Sequence, residues 1–174
     1  AMDVERASWE EFKVKVDITY AQYEELLRSG KKVTTVKSGW VIRQKPDKLR
    51  ARIVGQEISD GTNQDLYFSP TPRHLSHRLV LGRSLRKGWR CWPGDVSVAF
   101  LHAELGDDIV VVIPPASELD PTQPGVLWRM QKAAYGLRIA PRKFGEHYAA
   151  VVGRKGWKRT KAEPQLYYNM RYPG

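Results

Sequence analysis

The stretch of sequence that decides the fold covers residues 33–54 and reads VTTVKSGWVIRQKPDKLRARIV. Residues 33–44 are rich in β-branched and aromatic side chains, which favours a strand. The Pro-Asp-Lys sequence at 46–48 predicts a turn, because proline presets the backbone angle that a turn needs. Residues 49–54 then favour a second strand. The stretch therefore predicts a β-hairpin.

The returning strand alternates between apolar and basic side chains. Leu49, Ala51 and Ile53 share one face of the strand. Arg50 and Arg52 share the other face, because successive side chains of a strand point to opposite sides. We expect the apolar face to be buried. The arginine face fits either a bound phosphate chain or the solvated edge of a sheet.

Capping signals and hydrophobic spacing predict helices around the hairpin. Thr19 and Gln22 form a capping-box pattern at the start of a helix over 20–29. A second helix is predicted over 75–88. A third is expected to begin near Pro141, where proline suits a first helical turn, and to end near residue 156.

Short apolar runs predict further strands over residues 109–113, 126–130 and 165–170. The run at 89–94 is expected to lead into a strand whose end presents Asp95. Polar segments with proline and glycine at 56–73 and 116–125 predict loops. This mixture of helices and strands indicates an α+β fold.

Charge is distributed in blocks along the chain. The chain has 29 basic and 19 acidic residues and a net charge of +10 at pH 7. Residues 31–60 carry +5 and residues 126–174 carry +9, while residues 106–125 carry −4. Two basic blocks separated by an acidic segment favour a nucleic-acid partner. The alternative is an ordinary solvated surface.

Several classes of protein do not fit this composition. No apolar run approaches the roughly 18 residues that a membrane-spanning helix needs, so no membrane partner is expected. The single cysteine, Cys91, cannot form an intramolecular disulfide, and the four histidines share no zinc-binding spacing with it. A reducing compartment, the cytoplasm or the nucleus, is therefore expected.

Four segments of the sequence share a familiar order and spacing. They are LRARIV at 49–54, FSP at 68–70, DVSVAFLH at 95–102 and KAAYGLR at 132–138. In this order they resemble the copia-type LTR-retrotransposon reverse transcriptase domain, over about residues 24–166. Each segment is weak evidence by itself, and the four together are specific.

The resemblance implies an α+β fold with a mixed or antiparallel sheet and packed helices. An N-terminal helical segment would cover residues 2–30. The fingers subdomain would cover 31–94 and include the helix at 75–88. Residues 95–174 would form part of the palm, with segments that return to the fingers.

The resemblance also assigns a catalytic role to Asp95, as the first of the carboxylates that hold two Mg²⁺ ions in nucleotidyl transfer. Phe100 matches the aromatic residue that excludes a 2′-hydroxyl, and the backbone at Val96 and Ser97 would lie near the incoming triphosphate. The alternatives are a routine turn aspartate and a core phenylalanine.

Further residues match positions that contact the nucleotide in this family. Arg50 and Arg52 would face the triphosphate, with Lys48 as a weaker member of the same surface. Tyr135 and Gly136 would lie under the templating base, where glycine permits a close backbone approach.

The segment after Gly136 would contact the template strand. The residues concerned are Arg138, Pro141, Arg142 and Lys143. Their positive charges suit template phosphates, and a solvated helix face is the alternative.

The resemblance also predicts what lies beyond this segment. The Tyr-x-Asp-Asp hairpin that supplies the other carboxylates is expected to follow shortly after Tyr172, with the rest of the palm and the thumb. The Gly-Asp-Asp sequence at 106–108 resembles a polymerase signature, but a single short apolar run follows it. We therefore predict a surface turn there.

The resemblance implies a fragment of an RNA-directed DNA polymerase that acts with an RNA template, a DNA primer and deoxynucleoside triphosphates. The alternative is a non-catalytic nucleic-acid-binding module derived from a degenerate or domesticated retroelement. An intact Asp-Asp hairpin downstream would favour the polymerase, and a stop codon would favour the module.

Overall fold

The computed structural model describes residues 1–58 and 67–171. Its main sheet has five strands in the order β1-β5-β4-β2-β3. Their bounds are Lys15–Ile18 (β1), Val33–Gln44 (β2), Leu49–Gly55 (β3), Ile109–Ile113 (β4) and Leu127–Met130 (β5). Strands β2 and β4 run parallel, and the other neighbours are antiparallel. The predicted mixed α+β class is confirmed.

The predicted hairpin is present. Strands β2 and β3 pair in an antiparallel register, and backbone hydrogen bonds between Lys45 and Lys48 close the turn. Ala51 and Ile53 are buried, as the alternation predicts. Leu49 is 55% exposed, so its expected burial is wrong. Leu49 lies at the turn end of the hairpin, where β3 begins outside the packed core.

The described residues contain four α-helices. They are Met2–Glu11 (α1), Tyr20–Arg28 (α2), His74–Lys87 (α3) and Ala140–Arg154 (α4). The Thr19–Gln22 capping box is formed at α2, and Gly88 ends α3 in the left-handed conformation. Pro141 lies in the first turn of α4. The predicted helices are therefore confirmed.

The expected strand before Asp95 is wrong, because residues 89–96 have no regular secondary structure. Pro93 lacks an N–H group for a strand ladder, and no described strand runs beside this segment. The strand predicted over 165–170 is shorter, Tyr167–Asn169 (β7). It pairs with Trp157–Arg159 (β6), which the sequence analysis missed.

The predicted loops and turns agree with the structure where it describes them. Residues 59–66 of the expected loop at 56–73 lie outside the described residues, and Tyr67 is helical. The acidic loop contains one short 3₁₀ turn, Ala116–Glu118. The Gly-Asp-Asp sequence at 106–108 forms a turn with a positive φ at Gly106, as predicted.

The core lies on both faces of the sheet. Val110 and Val112 of β4 pack into the larger cluster, and Ile109 and Val111 pack into the smaller one. Successive side chains of a strand face opposite sides, so β4 is buried on both. Helix α2 covers the smaller cluster. No helix in the described part of the chain is long and apolar enough to cross a membrane.

Helix α1 covers the larger cluster and packs against β3. Trp9 is buried there, with its ring 5.5 Å from the ring of Trp128. The Arg6 guanidinium donates two hydrogen bonds to Glu118, which also accepts one from the Trp40 indole. Helix α1 therefore ties the acidic loop to the hairpin.

Candidate nucleotide-binding site

The site is organised by the outer edge of β3, which is the last strand of the sheet. The N–H of Gly55 donates to the Tyr135 carbonyl at 2.7 Å. This bond brings the loop before α4 against the arginine strand, although the two segments lie far apart in sequence. The two segments that the resemblance assigns to the nucleotide, residues 49–54 and 132–138, therefore lie side by side in the fold.

Gly136 makes the close approach possible. Its φ is +83°, a conformation that side chains with a Cβ rarely adopt. A Cβ at Gly136 would overlap the carbonyl oxygen of Gly55 and would lie 2.6 Å from Cγ1 of Val54. The predicted need for glycine thus has a local cause in the packing of this loop on β3.

The side chains of Arg52 and Tyr135 stack on each other. The Arg52 guanidinium lies 4.0 Å from the centre of the Tyr135 ring, within the range of a cation–π contact. Burial raises the pKa of the Tyr135 phenol, and the charges of Arg52 and Arg50 oppose that rise. The carboxylates of Glu5 and Asp95 add to it. The charges of these four groups therefore all act on one phenol.

Phe100 borders the same group. Its ring lies edge-on to Tyr135 at 5.3 Å and to Phe144 at 6.2 Å. It is also partly buried against the larger core cluster. The two interpretations of Phe100, a core residue and a site residue, are compatible. We call Arg50, Arg52, Tyr135 and Phe100 the arginine–tyrosine patch.

Asp95 lies on an irregular segment, residues 93–98, which we call the Asp95 segment. Asp95, Val96 and Ser97 are all exposed. Val98 has a φ of +45°, which is strained for a β-branched residue. The chain then enters a 3₁₀ turn, Ala99–His102, that carries Phe100 into the core. The C-terminal end of the Asp95 segment therefore packs against the core, whereas the Asp95 side chain is exposed.

The residues that the structure describes do not fit a two-ion magnesium site. Among the described residues, no group of three or more His, Cys, Asp or Glu side chains is placed to hold a metal. Mg²⁺ requires octahedral coordination by oxygen atoms and releases its waters reluctantly. Asp108, from the Gly-Asp-Asp turn, instead pairs with Lys143 at 2.6 Å. Asp95 is therefore a single candidate ligand.

The four predicted template residues are engaged in different ways. The Arg138 guanidinium stacks on the Tyr67 ring at 4.1 Å, and its backbone N–H donates to Glu57. Pro141 is exposed at the start of α4. Arg142 and Lys143 both approach Asp108. Template phosphates would have to compete with that carboxylate.

A polar cleft of about 530 Å³ opens beside the start of α4. Lys31, Lys32 and Arg142 line it, together with Asp107 and Asp108. Both signs of charge meet there, so the cleft by itself does not select an anion. Lys48 lies elsewhere, exposed at the hairpin turn.

Two carboxylates with partners far away in sequence escaped the sequence analysis. Glu5 is buried beside the outer edge of β3, and Glu118 accepts hydrogen bonds from Arg6 and Trp40. The Arg6 guanidinium holds the pKa of the Glu118 carboxyl below its ordinary value. One signal was available for Glu5. It precedes Trp9 by four residues, so the two share a helix face.

Comparison with known proteins identifies the chain's relatives. The family model described as "Reverse transcriptase (RNA-dependent DNA polymerase)" matches residues 21–174. The retrovirus-related Pol polyproteins from transposons RE1 and RE2 of Arabidopsis thaliana are both 33% identical, over 64% and 78% of this chain. That from transposon TNT 1-94 of Nicotiana tabacum is 27% identical over 76%.

The chain spans only a small part of these relatives, 8% of the RE1 polyprotein and 10% of each of the other two. No solved structure matches the chain. The copia-type resemblance in the sequence is confirmed by these matches.

Proposed function

Because this chain belongs to the reverse transcriptase (RNA-dependent DNA polymerase) family, we propose that it forms the fingers and the front of the palm of an RNA-directed DNA polymerase. The observation that carries the proposal is the stack of Arg52 on Tyr135 beside Phe100. The Asp95 carboxylate also contributes to the raised pKa of the Tyr135 phenol. Residues that the resemblance assigns to one nucleotide thus cluster around one side chain.

In this proposal the patch binds an incoming deoxynucleoside triphosphate. Arg50 and Arg52 donate charge-assisted hydrogen bonds to its phosphates, because a guanidinium presents several donors in a planar fork. Phe100 excludes a 2′-hydroxyl, and the backbone N–H groups of Val96 and Ser97 approach the triphosphate. Lys48 adds positive charge at the hairpin turn.

The template strand would pass along the loop and the first turn of α4. Tyr135 and Gly136 would support the templating base, and the basic residues that follow would bind template phosphates. They are Arg138, Arg142 and Lys143, beside Pro141. Arg138 is already stacked on Tyr67, which restricts its guanidinium to one position.

Catalysis would require more than this chain. Asp95 is the proposed first magnesium ligand, and its surroundings in the described residues do not complete a two-ion site. We propose that the other carboxylates come from the Asp-Asp hairpin that the resemblance predicts. The matches are to Pol polyproteins, which does not favour the alternative of a non-catalytic module.

Salt-dependent binding tests the nucleotide and template roles. The affinity of the chain for an RNA–DNA primer–template should fall steeply with salt, because each phosphate contact releases a counterion. Arg50→Ala and Arg52→Ala should each weaken binding of a deoxynucleoside triphosphate, measured over the same salt series, and lower the slope of its log affinity against log salt by about one unit.

Arg28→Ala is the matched control. Arg28 is an exposed arginine of α2 that pairs with Glu24. The Arg28→Ala substitution removes the same charge at a site away from the patch and should leave the slope unchanged. Equal effects of all three substitutions, or an affinity that stays flat between low and moderate salt, would refute the proposed binding face.

A further inference from the structure

We propose that Glu5 is a positioning residue for the arginine–tyrosine patch. Its carboxylate holds β3 in place through a buried hydrogen bond and lowers the positive potential around Arg50 and Arg52. The inference rests on the proposed function of the patch. Glu5 belongs to α1, which precedes the segment that matches the family, residues 21–174. Nothing in that match assigns a role to this helix.

The geometry starts from the exposed edge of β3. In an antiparallel pair, alternate N–H groups of an edge strand point away from the partner strand. Gly55 satisfies one such N–H with the Tyr135 carbonyl. Two residues earlier, the N–H of Ile53 donates to Oε1 of Glu5 at 3.4 Å. Glu5 and Tyr135 thus occupy consecutive outward N–H groups of the strand that carries Arg52.

The carboxylate of Glu5 is itself fixed. Glu5 is only 6% exposed, and its Oε1 also accepts a hydrogen bond from the Trp9 indole at 3.2 Å. Trp9 is buried in the larger core cluster. A chain of contacts therefore runs from the core through Glu5 to the backbone next to Arg52.

The charge of Glu5 also reaches the patch. Burial raises the pKa of the Glu5 carboxyl, and the charges of Arg52 and Arg50 oppose that rise. The same carboxylate contributes to the raised pKa of the Tyr135 phenol. Glu5 therefore lowers the positive potential that a triphosphate would meet. Its hydrogen bond and its charge act on triphosphate affinity in opposite directions.

Two substitutions separate these effects. Glu5→Gln keeps an oxygen that accepts hydrogen bonds and removes the charge. Glu5→Ala removes both, which leaves the Ile53 N–H and the Trp9 indole without their buried acceptor. Glu11→Gln is the matched control, since Glu11 is an exposed residue of the same helix. It removes one negative charge without touching β3.

The experiment measures the dissociation constant of deoxythymidine triphosphate for the chain and the three variants by calorimetry. At about pH 8, above the ordinary carboxyl range, Glu5→Gln should bind about two- to five-fold more tightly than the unsubstituted chain. Glu5→Ala should bind more weakly, although it removes the same charge. Glu11→Gln should match the unsubstituted chain. Weaker binding by Glu5→Gln, or unchanged binding by both Glu5 variants, would overturn the proposal.

A second readout does not depend on the nucleotide. Amide hydrogen exchange at Ile53 should accelerate about five- to ten-fold in Glu5→Ala, the loss expected for one net hydrogen bond, and should stay slow in Glu5→Gln. If the unsubstituted chain does not bind the triphosphate, the proposed function of the patch fails. The exchange rates still decide whether Glu5 positions β3, and equal rates in all chains would show that it does not.

Discussion

The arginine–tyrosine patch and the Asp95 segment adjoin one another and are held very differently. Arg52 lies on a strand whose outer edge is hydrogen-bonded to Tyr135 and to Glu5, and its guanidinium rests on a partly buried ring. Asp95 lies on exposed, irregular backbone. Among the described residues, no hydrogen bond or ion pair holds its carboxylate.

This difference has separate consequences for nucleotide binding by the patch and for nucleotidyl transfer at Asp95. A phosphate-binding group works when its charges sit on rigid elements with fixed rotamers, and Arg52 meets that condition. A magnesium site needs several oxygen ligands fixed at octahedral positions, and a single exposed carboxylate leaves the ion mostly hydrated. We therefore expect the chain to be prepared for nucleotide binding and unprepared for nucleotidyl transfer.

The largest effect is expected at the contact that supports the patch. Gly136→Ala would place a Cβ onto the Gly55 carbonyl oxygen. We expect it to lower the free energy of unfolding by about 2–4 kcal/mol in urea denaturation, from overlap and backbone strain together.

Gly30→Ala is the control for backbone strain alone. Gly30 has a φ of +71°, and nothing lies within 4 Å of a Cβ built there. Its cost should be about 1 kcal/mol, the strain of a left-handed alanine. If Gly136→Ala costs no more than Gly30→Ala, the close packing of this loop on β3 is not what supports the patch.

The hairpin and most of the helices could be predicted from the sequence, because their signals are local. The alternation in β3 and the Thr19–Gln22 cap depend on residues within a few positions of each other. The strand before Asp95 could not be judged that way. Whether such a segment forms a strand depends on a neighbouring strand, and Pro93 already removes one donor.

The candidate site was predicted as a set of residues and not as an arrangement. The resemblance named Arg52 and Tyr135, but only the fold shows their stacking. Glu5 and Glu118 were missed because their partners across the fold, Ile53 for Glu5 and Arg6 for Glu118, lie 48 and 112 residues away in sequence. The engagement of Lys143 by Asp108 was hidden for the same reason.

An intermediate effect is expected at the Arg6–Glu118 ion pair, which ties α1 to the acidic loop. The pKa of Glu118 is lowered in the folded chain, mainly by Arg6. Its stabilising contribution is therefore present above the ordinary carboxyl pKa and is lost as pH falls through the lowered value. Near neutral pH, Glu118→Gln should lower the free energy of unfolding by about 1 kcal/mol.

The difference between Glu118→Gln and the unsubstituted chain should shrink as the pH falls into the acid range, because both side chains are then neutral. Urea denaturation at several pH values measures it. Glu24→Gln is the control, since the Glu24–Arg28 pair is exposed and should contribute little. A difference that persists unchanged in acid would show that the charge of Glu118 does not stabilise this region.

The smallest effect is expected at Asp95. Asp95→Asn should change the free energy of unfolding by less than about 0.5 kcal/mol, as for other exposed positions. It should also lower the pKa of the Tyr135 phenol slightly, because the Asp95 carboxylate contributes to its rise. Urea denaturation and ultraviolet titration of the tyrosines measure both. A loss of stability comparable to that of Glu118→Gln would mean that the Asp95 segment is held as firmly as the patch.

Primer extension with Mg²⁺ tests the central claim most directly. The 174-residue chain is compared with a longer segment extended through the Asp-Asp hairpin that the resemblance predicts, each with and without Asp95→Ala. We predict that the 174-residue chain binds primer–template without adding nucleotides, whereas the longer segment extends the primer and loses that activity on Asp95→Ala. Extension by the shorter chain, abolished by the same substitution, would contradict the account.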